Sequence, residues 1–130
     1  MTAATYSDYI RMALDRPFVW GESDCVLFAF GALKARTGRD YLRIPVTWHT
    51  ALEANRLLKE LGGMRAFITS QLGEPCGVLR AGTGDVALVN DPIDDAELLG
   101  VCHGDVVLCP ASLGLAMLPL RSAVCAWRVV

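Results

Sequence analysis

The sequence holds only two histidines, His49 and His103, and neither stands at ligand spacing from a cysteine or a carboxylate cluster on one expected helix. A metal centre is therefore not expected. Five cysteines are present, Cys25, Cys76, Cys102, Cys109 and Cys125, an odd set without any C-x-x-C pair. That excludes the usual zinc spacing and argues against a disulfide framework, so free thiols are expected. No charge of one sign dominates: 12 Lys and Arg face 14 Asp and Glu, a formal net charge of −2. Neither nucleic acid nor an anionic membrane is an expected partner. No apolar run reaches membrane-spanning length, and the N-terminal Met-Thr-Ala-Ala-Thr-Tyr-Ser-Asp lacks a basic region followed by an apolar one. The chain reads as untargeted and made in the cytoplasm. Repeats, low-complexity segments and linkers are missing too, and nothing implies a cofactor.

What is present is a chain of 130 residues, 53% hydrophobic, long enough to bury a real core as a single domain spanning 1–130. Its two halves differ in pattern. The helical part covers about 1–73 and the strand part about 74–130, an α+β arrangement. Thr5 can cap a helix bearing Tyr6, Tyr9, Ile10, Ala13 and Leu14 at helical spacing, ended by Arg16-Pro17. A second helix starts after Ser23-Asp24 and stops at Gly38. Pro45 keeps the 39–49 stretch extended. Thr50-Ala-Leu-Glu53 reads as a capping box for a third helix closed by Gly62-Gly63, and a fourth short helix fits Met64 to Leu72. Beyond Gly73, Gly84 to Val89, Leu98 to Cys102, Asp105 to Cys109 and Val124 to Val129 are apolar runs divided by turn residues. They are expected to be consecutive antiparallel strands. The acidic loop Asn90 to Glu97 lacks calcium-loop spacing and its glycine turn, so it reads as a solvated connection.

The segment Phe18-Val-Trp-Gly-Glu-Ser-Asp-Cys25 places a cysteine in the first turn of the second helix. Unpaired N–H groups and the helix dipole there favour thiolate over thiol, which is how many nucleophilic cysteines are activated. Packing is the competing role, because cysteine is among the most buried residue types and Val26, Leu27 and Phe28 follow.

The aromatic-x-Trp-Gly run, the Asp24-Cys25 helix start, Gly84-Asp85-Val86 and the Gly100-Val-Cys102 strand together resemble the NlpC-type cell-wall peptidases. These are papain-like enzymes in which a helix-borne cysteine packs on a small antiparallel sheet that carries the histidine. More narrowly, with Thr37-Gly38, the helix end at Gly63, Gly114-Leu-Ala-Met-Leu-Pro-Leu120 and Ala126-Trp-Arg-Val129, the chain is similar to small phage or prophage proteins encoded among tail genes. The resemblance makes Cys25 the counterpart of the nucleophile. Other positions depart from the pattern. Val26 stands where a serine is usual, Phe18 where a tyrosine assists the oxyanion, and Leu98 where the histidine should open the second strand. The group that would orient the imidazole falls at Cys109 or Pro110. His103, five residues after Leu98, is the remaining base candidate within the sheet, and strand alternation turns it away from the face of Leu98, Gly100 and Cys102. His49 reads as a surface or packing residue.

The resemblance thus implies a phage tail-tip structural or assembly component, located in the virion tail, on a degenerate NlpC-type fold. Its partners would be other tail proteins. The alternative is an active cysteine endopeptidase that cuts peptidoglycan stem peptides during DNA entry, with Cys25 as nucleophile and His103 or a neighbouring subunit's histidine as base. A thiol-dependent acyltransferase or amidase of the same fold is a third option. Trp48, in an expected exposed loop, is the leading interface residue, with Tyr41 beside it; Trp20 and Trp127 read as core.

Overall fold

The computed structural model describes residues 5–93 and 95–129. Over these the helical and strand halves fall where the sequence pattern puts them. The described residues form four α-helices, α1 (Tyr6–Ala13), α2 (Cys25–Thr37), α3 (Ala51–Glu60) and α4 (Met64–Leu72), then the strands β1 (Val86–Asn90), β2 (Glu97–His103), β3 (Val106–Ala111), β4 (Gly114–Pro119) and β5 (Ala123–Trp127). None of these helices is long and apolar enough to cross a membrane.

Three of the four helix starts follow from a side chain that satisfies orphan N–H groups, while α4 starts after Gly63 without a side-chain cap. Thr5 and Asp8 form a reciprocal capping box on α1, and Asp24 and Thr50 cap α2 and α3. In α3 the Glu53 carboxylate reaches one residue beyond the cap, accepting from the His49 N–H at 2.9 Å. Helix α2 ends at Gly38, whose φ of +78° is the left-handed conformation a C-cap uses. From Cys25 to Leu33 this helix carries no polar side chain other than the thiol, and Ala29, Ala32 and Leu33 have no accessible surface. Such a helix has to be enclosed. On one side α1 covers it, with the Tyr9 hydroxyl donating to the Phe28 carbonyl at 2.9 Å. Gly31 makes that approach possible, because a Cβ there would collide with the Tyr9 hydroxyl. On the other side lies the sheet.

The sheet is antiparallel with strand order β4-β3-β2-β1-β5. Strands β1 to β4 form a meander, while β5 returns to the free edge of β1. Two corrections to the expected strands follow. The fifth strand, β4, was not foreseen, because Gly114-Leu-Ala-Met-Leu-Pro119 contains no β-branched residue and only its pairing with β3 makes it a strand. And β5 does not lie beside the strand that precedes it. A bulge at Val124 accommodates its pairing, since Leu88 faces Cys125 whereas Val89 faces Ala123.

Both faces of the sheet are buried, by different means. Leu88, Leu99, Val101 and Trp127 pack towards the helices. On the far face Ala87, Val89, Cys102, Val107, Cys109 and Ala126 are covered by Cys76, Val78, Ala81 and Leu98 along with Leu118 and Leu120. That side is tight: a Cβ on Gly100 would stand 2.6 Å from the Cys109 Sγ.

The two layers are fastened at one corner. Arg36, near the end of α2, meets the Asp85 carboxylate at 3.2 Å and donates to the Val129 carbonyl at 2.8 Å. Asp85 in turn accepts from the Val129 and Gly82 N–H groups at 3.1 and 2.9 Å. Removing one partner of a mostly buried pair strands the other charge and its donors. Asp85→Ala is therefore expected to lower unfolding free energy by about 3 kcal/mol in urea titrations, with little change in the m-value.

Candidate functional site

The turn before α2 is built from the Phe18 to Asp24 motif. Ser23 Oγ donates to the Pro17 carbonyl at 2.6 Å and accepts from the Val19 N–H at 3.0 Å. Gly21, at φ +80°, packs so closely on the Trp48 carbonyl that no Cβ fits there. Asp24 is 1% exposed, and its carboxylate accepts three N–H bonds: from Leu27 at 3.0 Å, Gly21 at 2.9 Å and the Trp48 indole at 2.8 Å. One residue thus caps the helix, closes the turn and pins the distant 39–49 loop.

Cys25 is the first residue of α2, facing β2, as the helix-start reading requires. Its electrostatics are the reverse of an activated nucleophile. Burial pushes the thiol up to about 11, and the adjacent Asp24 adds to the rise. Backbone N–H groups of Leu99, Val26 and Cys25 itself offset this only in part. With a pKa near 11, roughly one thiol in ten thousand is thiolate at pH 7.

Neither histidine assists it. Among the described residues no imidazole is hydrogen-bonded to Cys25. His103 is exposed at the end of β2, where Nδ1 lies 3.1 Å from the Tyr6 hydroxyl and the two rings stack with centroids 6.0 Å apart. Burial, then Cys102, raises Tyr6 to about 12 against a lowering by Arg36, so its hydroxyl stays protonated at neutral pH. His103 faces away from Leu98 and Cys102, as alternation along β2 requires, and shares the helix face with Leu99 and Val101. Distance along the strand separates it from Cys25: four residues from Leu99 is about 13 Å at roughly 3.3 Å per residue. His49 is exposed beside Gly21. At the position expected to orient a base, Cys109 is 1% exposed with its thiol pushed up to about 12, first by burial.

The interface residues are also placed differently from expectation. Trp48 does lie in a loop, but it is only 5% exposed and belongs to the helix-side core, because its indole N–H has a buried acceptor in Asp24. Tyr41 is half-buried against the same core. Sequence reasoning missed the Asp24–Trp48 bond, for which the chain carries no local signal; Asp24 was legible only as a cap.

An apolar cleft of about 270 Å³ opens beside Cys25, lined by Trp20, Trp48, Leu58, Met64, Phe67 and Leu98 among others. Among the described residues no cluster of His, Cys, Asp or Glu is arranged to hold a metal ion.

Three outcomes are expected. Trp48→Ala should cost about 3–5 kcal/mol and lower the melting temperature strongly, the signature of a core indole. Raised thiol pKa values also set the alkaline limit. The unfolded chain releases its cysteine protons near pH 9, whereas the folded chain holds Cys25 and Cys102 to about 11 and Cys109 to about 12. Their stabilising contribution is present below pH 9 and is lost as pH rises towards 12. Urea midpoints measured across that window should fall, and thiolate absorbance at neutral pH should be unchanged by Cys25→Ser.

No curated protein matches the chain. A family match does, and it covers residues 2–129, nearly the whole length. The chain belongs to the DUF6950 family, a domain of unknown function.

Proposed function

We propose that this chain is an assembly component of a phage tail tip, built on a papain-like NlpC-type scaffold whose peptidase chemistry has lapsed. The observation that carries the loss of chemistry is the state of Cys25: a buried thiol raised to about 11, with no imidazole bonded to it among the described residues. Acyl transfer through cysteine needs a thiolate, a base in reach, a group that orients the base and oxyanion donors. Here the carboxylate next to the thiol accepts from Leu27, Gly21 and Trp48, and His103 is engaged with Tyr6. Lacking the base lowers such rates by several orders of magnitude. Placement in the tail rests on the resemblance carried by the Phe18 to Cys25 segment, Gly84-Asp85-Val86 and the 114–129 tail.

One observation favours the peptidase reading, namely that the cleft of about 270 Å³ reaches Cys25. A paired experiment separates the two. Purified protein is expected to release no muropeptides from peptidoglycan beside an active NlpC-type control. A phage carrying Cys25→Ala should yield infectious particles at the parental titre. Muropeptide release that vanishes in Cys25→Ala would establish the endopeptidase instead, and a titre loss with a folded variant would give the thiol a part in assembly.

A further inference from the structure

The cleft beside the start of α2 is bordered by Asp24 and Cys25 and is lined for the most part by apolar side chains. Its floor is Trp48, Met64 and Phe67, all nearly inaccessible, and its walls are the half-buried Trp20, Leu58 and Leu98. Size narrows the occupant. A dry cavity of about 150 Å³ accepts benzene, and cofactor-sized pockets begin at about 300 Å³. At about 270 Å³ the cleft has room for one large side chain and stands at the lower edge of the ligand-pocket range.

Polarity narrows it further. At the inner end, Asp24 accepts three N–H bonds and Cys25 is a protonated thiol at neutral pH. An inserted group therefore gains chiefly by burying apolar surface. At the mouth the sign of charge is set. Glu97 lines the opening and is exposed, and it ends a loop that also carries Asp91 and Asp95. The loop is held in shape by its own backbone, with Asp95 N–H donating to the Asp91 carbonyl and Asp91 N–H to that of Ala96, both at 2.8 Å. Among the described residues none of these three carboxylates forms a salt bridge.

We infer that this cleft docks a partner polypeptide through one aromatic or large aliphatic side chain flanked by Lys or Arg. The inference rests on the assembly reading above, and it names the partner's chemistry. The apolar anchor supplies the burial, while the basic flanks meet Glu97 and the acidic loop, which favours encounter and excludes acidic segments.

Three capped peptides test it on the full isotope-labelled chain by amide and indole resonances: Lys-Phe-Lys, Glu-Phe-Glu and Lys-Ala-Lys. Lys-Phe-Lys should shift Trp20, Asn55 and Leu98 saturably. At low salt Glu-Phe-Glu should bind roughly tenfold more weakly, and the gap should narrow at high salt as charges are screened. Lys-Ala-Lys should leave those resonances in place. Glu97→Lys should reverse the preference, and Leu58→Glu, with an otherwise native spectrum, should abolish the shifts. Equal binding of Glu-Phe-Glu would overturn the charge selection, and binding of Lys-Ala-Lys would overturn the apolar anchor. No saturable shift from any peptide, with the native spectrum retained, would overturn the docking site as a whole. Particle counts for a phage lacking this chain, which should fall far below the parental titre, report on the assembly reading whatever the peptides do, so its failure is distinguishable from that of the cleft.

Discussion

The buried carboxylate of Asp24 is the constraint on which the front of the molecule depends. A carboxylate with 1% exposure is tolerable only if its oxygens are satisfied, and here three N–H groups from three separate segments converge on it. Hydrogen bonds to a charged group contribute on the order of 1.5–3 kcal/mol each, against a large desolvation cost. Because the donors lie at Gly21, Leu27 and Trp48, the bonds fix relative positions that apolar contact alone would leave adjustable. The turn, the helix start and the incoming loop are locked as one unit.

That lock explains the state of the cysteine that follows it. A helix start favours an anion, but only by the modest energy of a dipole end and a few N–H groups. Burial works against charge with greater force, and Asp24 stands immediately beside the sulfur. The balance falls on the side of the neutral thiol. An architecture that seals the helix start with an indole and an acid is thus good for rigidity and poor for nucleophilic chemistry. The same sealing produces the cleft, since Trp48 drawn inward becomes its floor.

The sheet shows a comparable economy at its edges. On β4 the Leu115 N–H is taken by the Leu14 carbonyl at 3.1 Å and Pro119 has none to offer. On β5 the Ala126 N–H and carbonyl both pair with Cys76. Contacts of this kind blunt an edge against strand addition. Pro110 fits the same scheme, lying where β3 has outrun its pairing with β2 and only β4 remains beside it.

Local signals determined a great deal. Thr5, Asp24 and Thr50 each announce a helix start because a cap is a contact between neighbours in sequence, and glycines mark the stops for the same reason. Apolar runs at Val86, Leu99 and Val107 announce strands, and the α+β division follows from their order. What the tertiary structure alone decided are the relations between distant segments. It made an unpromising Gly114–Pro119 into a strand by pairing it with β3, sent β5 to the far edge of β1, and turned Leu99 rather than Leu98 towards the helices. It drew Trp48 from an expected exposed loop into the core and set His103 on Tyr6, far along β2 from Cys25. Sequence fixes how each residue biases its neighbours. Whether a thiol beside an acid ionises depends on what buries it, and Cys25 lies in a core assembled from both halves of the chain, from Phe28 to Trp127.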